Sequence, residues 1–190
     1  MSGGEFCGNA CRTAAMFMYK NYNIKISVIK INNLSINAIC DGINSSISLN
    51  LKDLIENVQE IQKGTTIIKQ KNMTQIVISE NSELFTQNPT KKLALKIKDK
   101  FNLDDIAVGI IFLNKQNEIK PFIWVKAPNT FYEESACVSG SISAFLTLSN
   151  KKYFSTFITQ PSNGKYYISR KNNILKISGK CSFEKEDSID

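Results

Sequence analysis

The sequence predicts an α+β protein made of two related lobes. A helical segment followed by several strand-like segments occurs twice, once from Cys7 and again from Cys137. Each segment opens on a cysteine followed by small residues, and the two cysteines lie 130 residues apart. This separation is too long for a solenoid repeat and suits two lobes, but chance recurrence of such residues at helix starts accounts for it equally well. A chain of 190 residues can form one large core or two compact lobes.

The first half of the chain predicts one helix and three strands. Ala10, Ala14, Phe17 and Met18 recur at the spacing of one buried helix face within residues 7–20. Asparagine, aspartate and glycine then separate stretches that alternate between apolar and polar residues. The predicted strands are residues 24–31, 34–40 and 46–51.

The second half begins with a polar, partly helical stretch over residues 52–64, which we expect to link the lobes. The continuous apolar run within residues 104–114 suits a buried strand, and Pro121 in the next strand implies an edge position or a bulge. A second buried helix is predicted after Cys137. The other predicted elements are a helix at 88–101 and strands at 65–70, 75–79, 118–125, 153–159, 165–170 and 174–178.

The change in composition after residue 51 sets the predicted domain boundary. Residues 1–51 form an N-terminal lobe, and residues 52–190 form a C-terminal lobe. The last strand of the chain is a candidate to return to the N-terminal lobe.

Composition and charge exclude several classes of function. The chain carries 24 Lys and Arg against 17 Asp and Glu, a net charge of +7, but nearly all of the excess is lysine scattered among isoleucine and asparagine. This pattern indicates a solvated basic surface and no nucleic-acid groove. No window holds the roughly 20 apolar residues of a membrane span, and the N-terminus lacks the features of a secretory signal. We therefore expect a cytoplasmic protein with no membrane or nucleic-acid partner.

Cysteines carry the candidate chemistry, because the chain contains five of them and no histidine. A catalytic Cys–His pair is therefore excluded, and the cysteine spacing does not match a zinc site. A reactive thiolate would need another source of stabilisation, which a helix N-terminus provides. Cys11, Cys40 and Cys181 are predicted to be buried structural thiols.

Three motifs resemble those of the diaminopimelate epimerase superfamily, and within it the histidine racemases of opine-metallophore biosynthesis. The resemblance covers nearly the whole chain, and the order and spacing of its two cysteine motifs are specific. Val108-Gly109 and the strand after it also contribute. The motifs are Ser2-Gly3-Gly4-Glu5-Phe6-Cys7-Gly8-Asn9-Ala10, Ser135-Ala136-Cys137-Val138-Ser139-Gly140 and Gln160-Pro161-Ser162-Asn163-Gly164.

The resemblance implies a fold and a mechanism. The fold has two pseudo-symmetric lobes, each a mostly antiparallel sheet wrapped around a central helix, with the active site between them. Neither pyridoxal phosphate nor a metal is used. Cys7 and Cys137 are the implied catalytic pair: one removes the Cα proton from one face, and the other returns a proton to the opposite face. The implied substrate-binding residues are Gly8, Asn9, Glu133, Glu134, Val138 and Ser139.

Departures from the superfamily pattern point to the substrate. Diaminopimelate epimerases grip the distal carboxylate with an arginine, but the corresponding stretch here is Pro128-Asn129-Thr130, and Thr65 and Val108 replace two asparagines. We therefore expect a single-headed amino acid, with histidine implied by the resemblance. Val138 also stands where a glycine usually follows the second cysteine, which narrows the approach to the backbone.

Members of the superfamily carry several strands before the first cysteine motif, which here begins within the first few residues. We therefore expect an N-terminally truncated chain whose first lobe is incomplete and which forms a homodimer through an uncovered sheet edge. Two alternatives stay open: a diaminopimelate epimerase, and a truncated, non-catalytic homologue that acts at most as a binding module.

Overall fold

The computed structural model describes residues 6–31, 33–149 and 151–182, so the start of the first cysteine motif, including Glu5, lies outside the described residues. In these ranges none of the helices has the length and apolar character needed to cross a membrane. The helices are α1 (Gly8–Tyr22), α2 (Leu51–Leu54), α3 (Lys91–Lys100) and α4 (Val138–Leu148). The strands are β1 (Ile26–Ile31), β2 (Leu34–Cys40), β3 (Asn44–Asn50), β4 (Ile55–Gln62), β5 (Thr65–Gln70), β6 (Met73–Ser79), β7 (Ala107–Leu113), β8 (Ile119–Val125), β9 (Thr130–Glu133), β10 (Tyr153–Thr159), β11 (Lys165–Lys171) and β12 (Ile174–Lys180).

The strands form two six-stranded sheets. The first has the order β1-β2-β3-β12-β11-β10, and every neighbouring pair in it is antiparallel. The second has the order β4-β5-β6-β7-β8-β9, with β6 and β7 parallel because the connection containing α3 crosses over between them. The predicted α+β class with mostly antiparallel sheets is confirmed.

The first sheet takes its strands from both ends of the chain. The meander β1-β2-β3 follows α1, the meander β10-β11-β12 follows α4, and β3 pairs with β12 to join them. The sequence nominated only the last strand for return to the N-terminal lobe, whereas three strands return. The expected boundary at residue 52 thus marks the change from the first sheet to the second, and the chain returns to the first sheet at β10.

A local two-fold axis relates the two meanders. Neighbouring antiparallel strands are related by two-fold axes. The axis between β3 and β12 lies midway between the facing residues Ile47 and Ile177. These two residues lie 130 positions apart, as Cys7 and Cys137 do. The helix-and-meander unit that the sequence repeats is therefore also repeated in space.

Helix α4 packs against both sheets. It packs against β6, β7 and β8 of the second sheet and against β10 and β11 of the first, while α1 packs on β1, β2 and β3. One continuous apolar core therefore includes the inner faces of both sheets. Helix α3 covers the other face of the second sheet, over a separate apolar cluster. The resemblance implied one central helix for each lobe, whereas α4 packs against strands of both sheets.

The buried face of α1 is displaced from the predicted one. Ala10, Ala14 and Phe17 are exposed. The helix is rotated by about one residue because Arg12 turns inward and donates to backbone carbonyls of the first sheet. The buried positions are Gly8, Cys11, Arg12, Ala15 and Met16.

Two strands of the second sheet were not predicted. The stretch expected to be a partly helical linker is helical only in α2 and continues as β4. This strand lies at the edge of the sheet, and most of its residues are exposed. The short strand β9 was also missed, so Pro121 does not lie on an edge strand. Pro121 lies just beyond the end of β9, where its carbonyl accepts a hydrogen bond from Glu134 N at 3.0 Å.

Candidate active site

A cavity of about 350 Å³ lies where the N-termini of α1 and α4 meet. Seven of the eight residues expected at the site line it, including both Cys7 and Cys137. The exception is Glu133, which lies outside the lining and forms an ion pair with Lys120 at 3.2 Å. The other lining residues are mainly apolar: Phe6, Met73, Ile123, Val125 and Pro128, with Thr130 and Tyr132.

Both cysteines are the N-cap residues of their helices. The Cys7 Sγ atom accepts a hydrogen bond from Ala10 N at 3.4 Å, and the Cys137 Sγ atom accepts one from Gly140 N at 3.2 Å. The first N–H groups of a helix have no intrahelical acceptor and carry its partial positive charge. Two sulfur atoms and two sets of backbone donors therefore face one cavity.

The two sulfur atoms lie in different environments. Cys7 is half-buried, whereas Cys137 is only 2% exposed. Burial raises the pKa of the Cys137 thiol well above its ordinary value, and the Glu134 carboxylate raises it further, outweighing hydrogen bonds from Ser139 and Gly140. Burial also raises the pKa of Glu134. The helix N-terminus that was expected to favour a thiolate is therefore insufficient at Cys137, which carries its proton at neutral pH.

The backbone of Cys137 is fixed by Gln160. The amide oxygen of Gln160 accepts a hydrogen bond from Cys137 N at 2.9 Å, and its Nε2 donates to Ser141 Oγ at 2.9 Å. Ser141 Oγ in turn donates to Cys137 O at 2.6 Å. The Gln-Pro turn of the third motif therefore serves to hold the second cysteine.

The starts of α1 and α4 are in direct contact. A methyl group added at Gly8 would overlap the side chain of Val138, so Val138 fills space that Gly8 leaves open. Asn9 Nδ2 donates to Ala136 O at 2.8 Å, and Asn9 Oδ1 accepts from Tyr166 OH at 2.9 Å. The side chain of Asn9 is thus engaged in joining the helix starts.

Comparison with known proteins identifies the family of this chain. The family model described as "Histidine racemase CntK N-terminal domain" matches residues 1–178. The chain belongs to this family. Two proteins named histidine racemase, from Fusobacterium nucleatum subsp. nucleatum strains ATCC 25586 and ATCC 23726, are 30% and 26% identical to it over the full chain. The chain spans 76% of the length of each relative.

Solved structures share the fold of this histidine racemase family member. A PhzC/PhzF phenazine biosynthesis protein of Clostridium difficile strain 630 matches with a TM-score of 0.59 and 13% identity, over 98% of this chain and 74% of that protein. A PhzF-family protein of Enterococcus faecalis matches with a TM-score of 0.54 and 15% identity, over 94% of this chain and 74% of that protein. At such low identity the likeness concerns the fold alone.

Sequence reasoning missed the polar anchor of α1 in this family member. Arg12 is buried and donates to Ser45 O at 3.0 Å and to Gly179 O at 2.6 Å, while its guanidinium lies 4.7 Å from the centre of the Tyr166 ring. Burial raises the pKa of Tyr166, so its hydroxyl stays protonated and can donate to Asn9. The only signal in the sequence was that Arg12 is one of two arginines.

The lining of the described cavity contains neither lysine nor arginine. Asn129, in the stretch that replaces the superfamily's arginine, accepts a hydrogen bond from Trp124 Nε1 at 3.2 Å. Thr65 is hydrogen-bonded to Ser82, and Val108 lies in the core beneath α3. The described residues thus provide no cation for a second carboxylate. They also contain no group of three histidine, cysteine, aspartate or glutamate side chains that could hold a metal ion.

Proposed function

We propose that this chain is an amino-acid racemase that works without a cofactor, with Cys7 and Cys137 as its two proton-transfer groups. The observation that supports this most strongly is that the two cysteines cap two helices whose N-termini meet at one cavity. Inverting Cα requires one group to remove a proton from one face and another to supply a proton to the opposite face.

The states of the two thiols give the direction of the first step. Burial and Glu134 favour the thiol form of Cys137, so we assign the role of base in the first step to Cys7, which this role requires to be deprotonated. As the Cα–H bond breaks towards Cys7, a new C–H bond forms on the opposite face with the proton of Cys137. The products are a Cys7 thiol, a Cys137 thiolate and the opposite enantiomer, and the reverse reaction exchanges these roles.

Backbone donors suit the α-carboxylate of such a substrate. The N–H groups of Gly8, Asn9, Val138 and Ser139 belong to the first turns of α1 and α4, where an anion is favoured. The same groups stabilise the negative charge that develops as the proton leaves. Glu134, the acidic residue in the lining, is the proposed partner of the α-ammonium group.

Histidine is the proposed substrate. Relatives named histidine racemase support this, as does a mainly apolar lining that provides no lysine or arginine for a distal carboxylate. A site built for diaminopimelate would bury that carboxylate against a cation, and its absence would weaken binding strongly. By the resemblance to opine-metallophore enzymes, we further propose a role in metallophore biosynthesis in the cytoplasm.

Exchange of the Cα proton in deuterated water tests the mechanism. We expect histidine to take up deuterium and to lose optical rotation, and Cys7→Ser and Cys137→Ser each to lower the rate by at least about a hundredfold. Cys11→Ser is the matched control, because burial raises the pKa of Cys11 to about 11 and this thiol is outside the lining of the cavity.

Three results would contradict the proposal in different ways. Full activity in either catalytic variant would exclude the two-base mechanism. Faster turnover of diaminopimelate than of histidine would exclude the proposed substrate. No exchange with any amino acid, by a folded chain that still binds histidine, would support the non-catalytic alternative.

We also propose that the chain forms a homodimer through β1. This strand is at the edge of the first sheet, and the side chains of Ile26 and Val28 are 70% and 56% exposed. Ile39, which faces Ile26 on β2, is exposed on the same side. An apolar, unpaired sheet edge is suited to pairing with a second copy.

A further inference from the structure

Two polar side chains, Gln75 and Ser139, form a path from the interior of the second sheet to the sulfur of Cys137. Gln75, on β6, is fully buried, and its Nε2 lies 3.2 Å from Ser139 Oγ. Ser139 Oγ lies 3.4 Å from Cys137 Sγ. An amide N–H can only donate, so Ser139 accepts from Gln75 with one lone pair, which leaves its own proton available to the sulfur.

The fold makes a specific space for Gln75. A Cβ atom at Gly109, on the neighbouring strand β7, would overlap the Gln75 amide. The Oε1 atom of Gln75 is buried and has no hydrogen-bond partner within the described part of the chain. Burying an amide oxygen in this way destabilises the folded state. An apolar residue would avoid this cost. The Nε2 atom of Gln75 contacts Met73 Sδ and the Ser139 hydroxyl, and of these two only the hydroxyl leads to Cys137.

We propose that Gln75 is a positioning residue for Cys137: the Gln75 amide holds the Ser139 hydroxyl so that its proton points at the Cys137 sulfur. This rests on the proposed function only in giving that sulfur a catalytic role. The sulfur then has two donors, the Ser139 hydroxyl and Gly140 N. Both are in place before Cys137 gives up its proton, so the thiolate that forms needs no rearrangement of its surroundings.

Of the ionisable groups that face Cys137, Glu134 acts in the opposite direction. Glu134 and Cys7 share the cavity with it, and Tyr166 approaches from β11. Burial and the charge of Glu134 raise the pKa of Cys137, while the hydrogen bond from Ser139 lowers it. Loss of the Ser139 donor should therefore raise this pKa further.

Gln70 provides a matched control. It is a buried glutamine on β5 that also contacts Ser139, but its Nε2 donates to Ser139 O at 3.2 Å and to Ser143 Oγ at 2.9 Å. Its own Oε1 also lacks a partner within the described residues. Gln70→Met and Gln75→Met thus replace the same type of side chain at two buried positions. Only Gln75→Met removes the donor to the Ser139 hydroxyl.

Alkylation of Cys137 as a function of pH, followed for its own peptide by mass spectrometry, measures the thiolate directly. The probe is iodoacetamide, applied to the full chain without substrate. We expect Ser139→Ala to raise the apparent pKa of Cys137 by about one unit, the effect of one hydrogen bond to a charged group. Gln75→Met should raise it in the same direction, and Gln70→Met should leave it unchanged.

The double variant Ser139→Ala/Gln75→Met decides whether Gln75 acts through Ser139. We expect its pKa to equal that of Ser139→Ala alone. Three results would overturn the inference: additive pKa shifts in the double variant, a pKa shift in Gln70→Met equal to that in Gln75→Met, or no pKa shift in Ser139→Ala. The third result is decisive even if Gln75→Met fails to fold. Alkylation requires no turnover, so the pKa shift can be measured even in a chain that does not racemise histidine. That combination of results would refute the proposed function and leave the role of Gln75 standing.

Discussion

Glu134 and Glu133 are neighbours in the sequence with different surroundings. Glu134 is half-buried beside Cys137, whereas Glu133 is exposed and pairs with Lys120 at the surface. Surface ion pairs contribute little to stability. A charge held beside a buried thiol affects both stability and chemistry, so substitutions at these two positions should have different effects.

We predict that Glu134→Gln stabilises the fold at neutral pH. Burial raises the pKa of Glu134 in the folded state, so its charged form opposes folding once the pH exceeds the ordinary pKa of glutamate, about 4.3. The stability gained should therefore be present at neutral pH and disappear as the pH falls below that value. Urea unfolding at several pH values measures it.

The same substitution should lower the rate of racemisation by about tenfold or more, because the proposed partner of the ammonium group is lost. Glu133→Gln is the control, with little expected change in either property. A Glu134→Gln variant less stable than the wild type at neutral pH would contradict the prediction, and would mean that the hydrogen bond from Cys137 outweighs the cost of burying the carboxylate.

The residues of the site could be predicted from sequence only where they form a motif. The two cysteine motifs, with the adjacent Glu134, identified seven residues that line one cavity, including both cysteines. Arg12, Gln70 and Gln75 were not identified, because a single polar residue in a helix or strand is usually interpreted as facing solvent. Their partners are backbone carbonyls or side chains distant in sequence, which only the folded chain brings together.

At the level of elements, the contact between α1 and α4 sets the distance between the two cysteines. Gly8 and Val138 occupy the same position in the two helices and touch each other. A side chain at Gly8 would push the helices apart, although the helix itself tolerates alanine better than glycine.

We predict that Gly8→Ala destabilises the protein by about 1–3 kcal/mol through overpacking, and that it lowers racemisation more than histidine binding. Adding Val138→Ala should restore much of both losses, because it removes the atoms that the new methyl group meets. Thermal unfolding and steady-state kinetics of the two single variants and the double variant provide the measurement. Strictly additive effects would mean that the two side chains do not interact.

Prediction of the elements failed where burial and sequence pattern disagree. Strand β4 was interpreted as a partly helical linker because an exposed edge strand lacks the apolar alternation of a strand with one buried face. The face of α1 was displaced because its buried side contains an arginine and a cysteine, whereas exposed Phe17 suggested a different face. Strands with a regular apolar pattern, such as β2 and β5, were predicted with their observed bounds.

For the whole molecule, we predict a concentration-dependent dimer that Val28→Lys converts to monomer. A lysine on an edge strand opposes pairing with a second copy. Asn57→Lys adds the same charge to β4, the exposed edge of the other sheet, and should leave the dimer intact. Sedimentation velocity at several concentrations distinguishes these outcomes, and a wild-type chain that stays monomeric throughout would refute the dimer.

The joining of the two meanders was predicted only in part. The last strand was a candidate to return to the N-terminal lobe, but the return of β10 and β11 with it, through pairing of β3 with the distant β12, was not predicted. The local repeat of helix and strands was visible in the sequence. A repeat, however, does not show whether its copies form separate sheets or one sheet.

The kinetics of the proposed reaction are constrained by the equilibrium between the two enantiomers and not by the two-fold axis between Ile47 and Ile177. Free L- and D-histidine have equal energies, so the equilibrium constant is one, and kcat/KM must be the same for both enantiomers. The site itself is not symmetric, because Gly8 faces Val138, and Asn9 corresponds to Ser139. These differences therefore cannot favour one enantiomer overall. They can only make one enantiomer bind tightly and react slowly while its mirror image binds weakly and reacts fast.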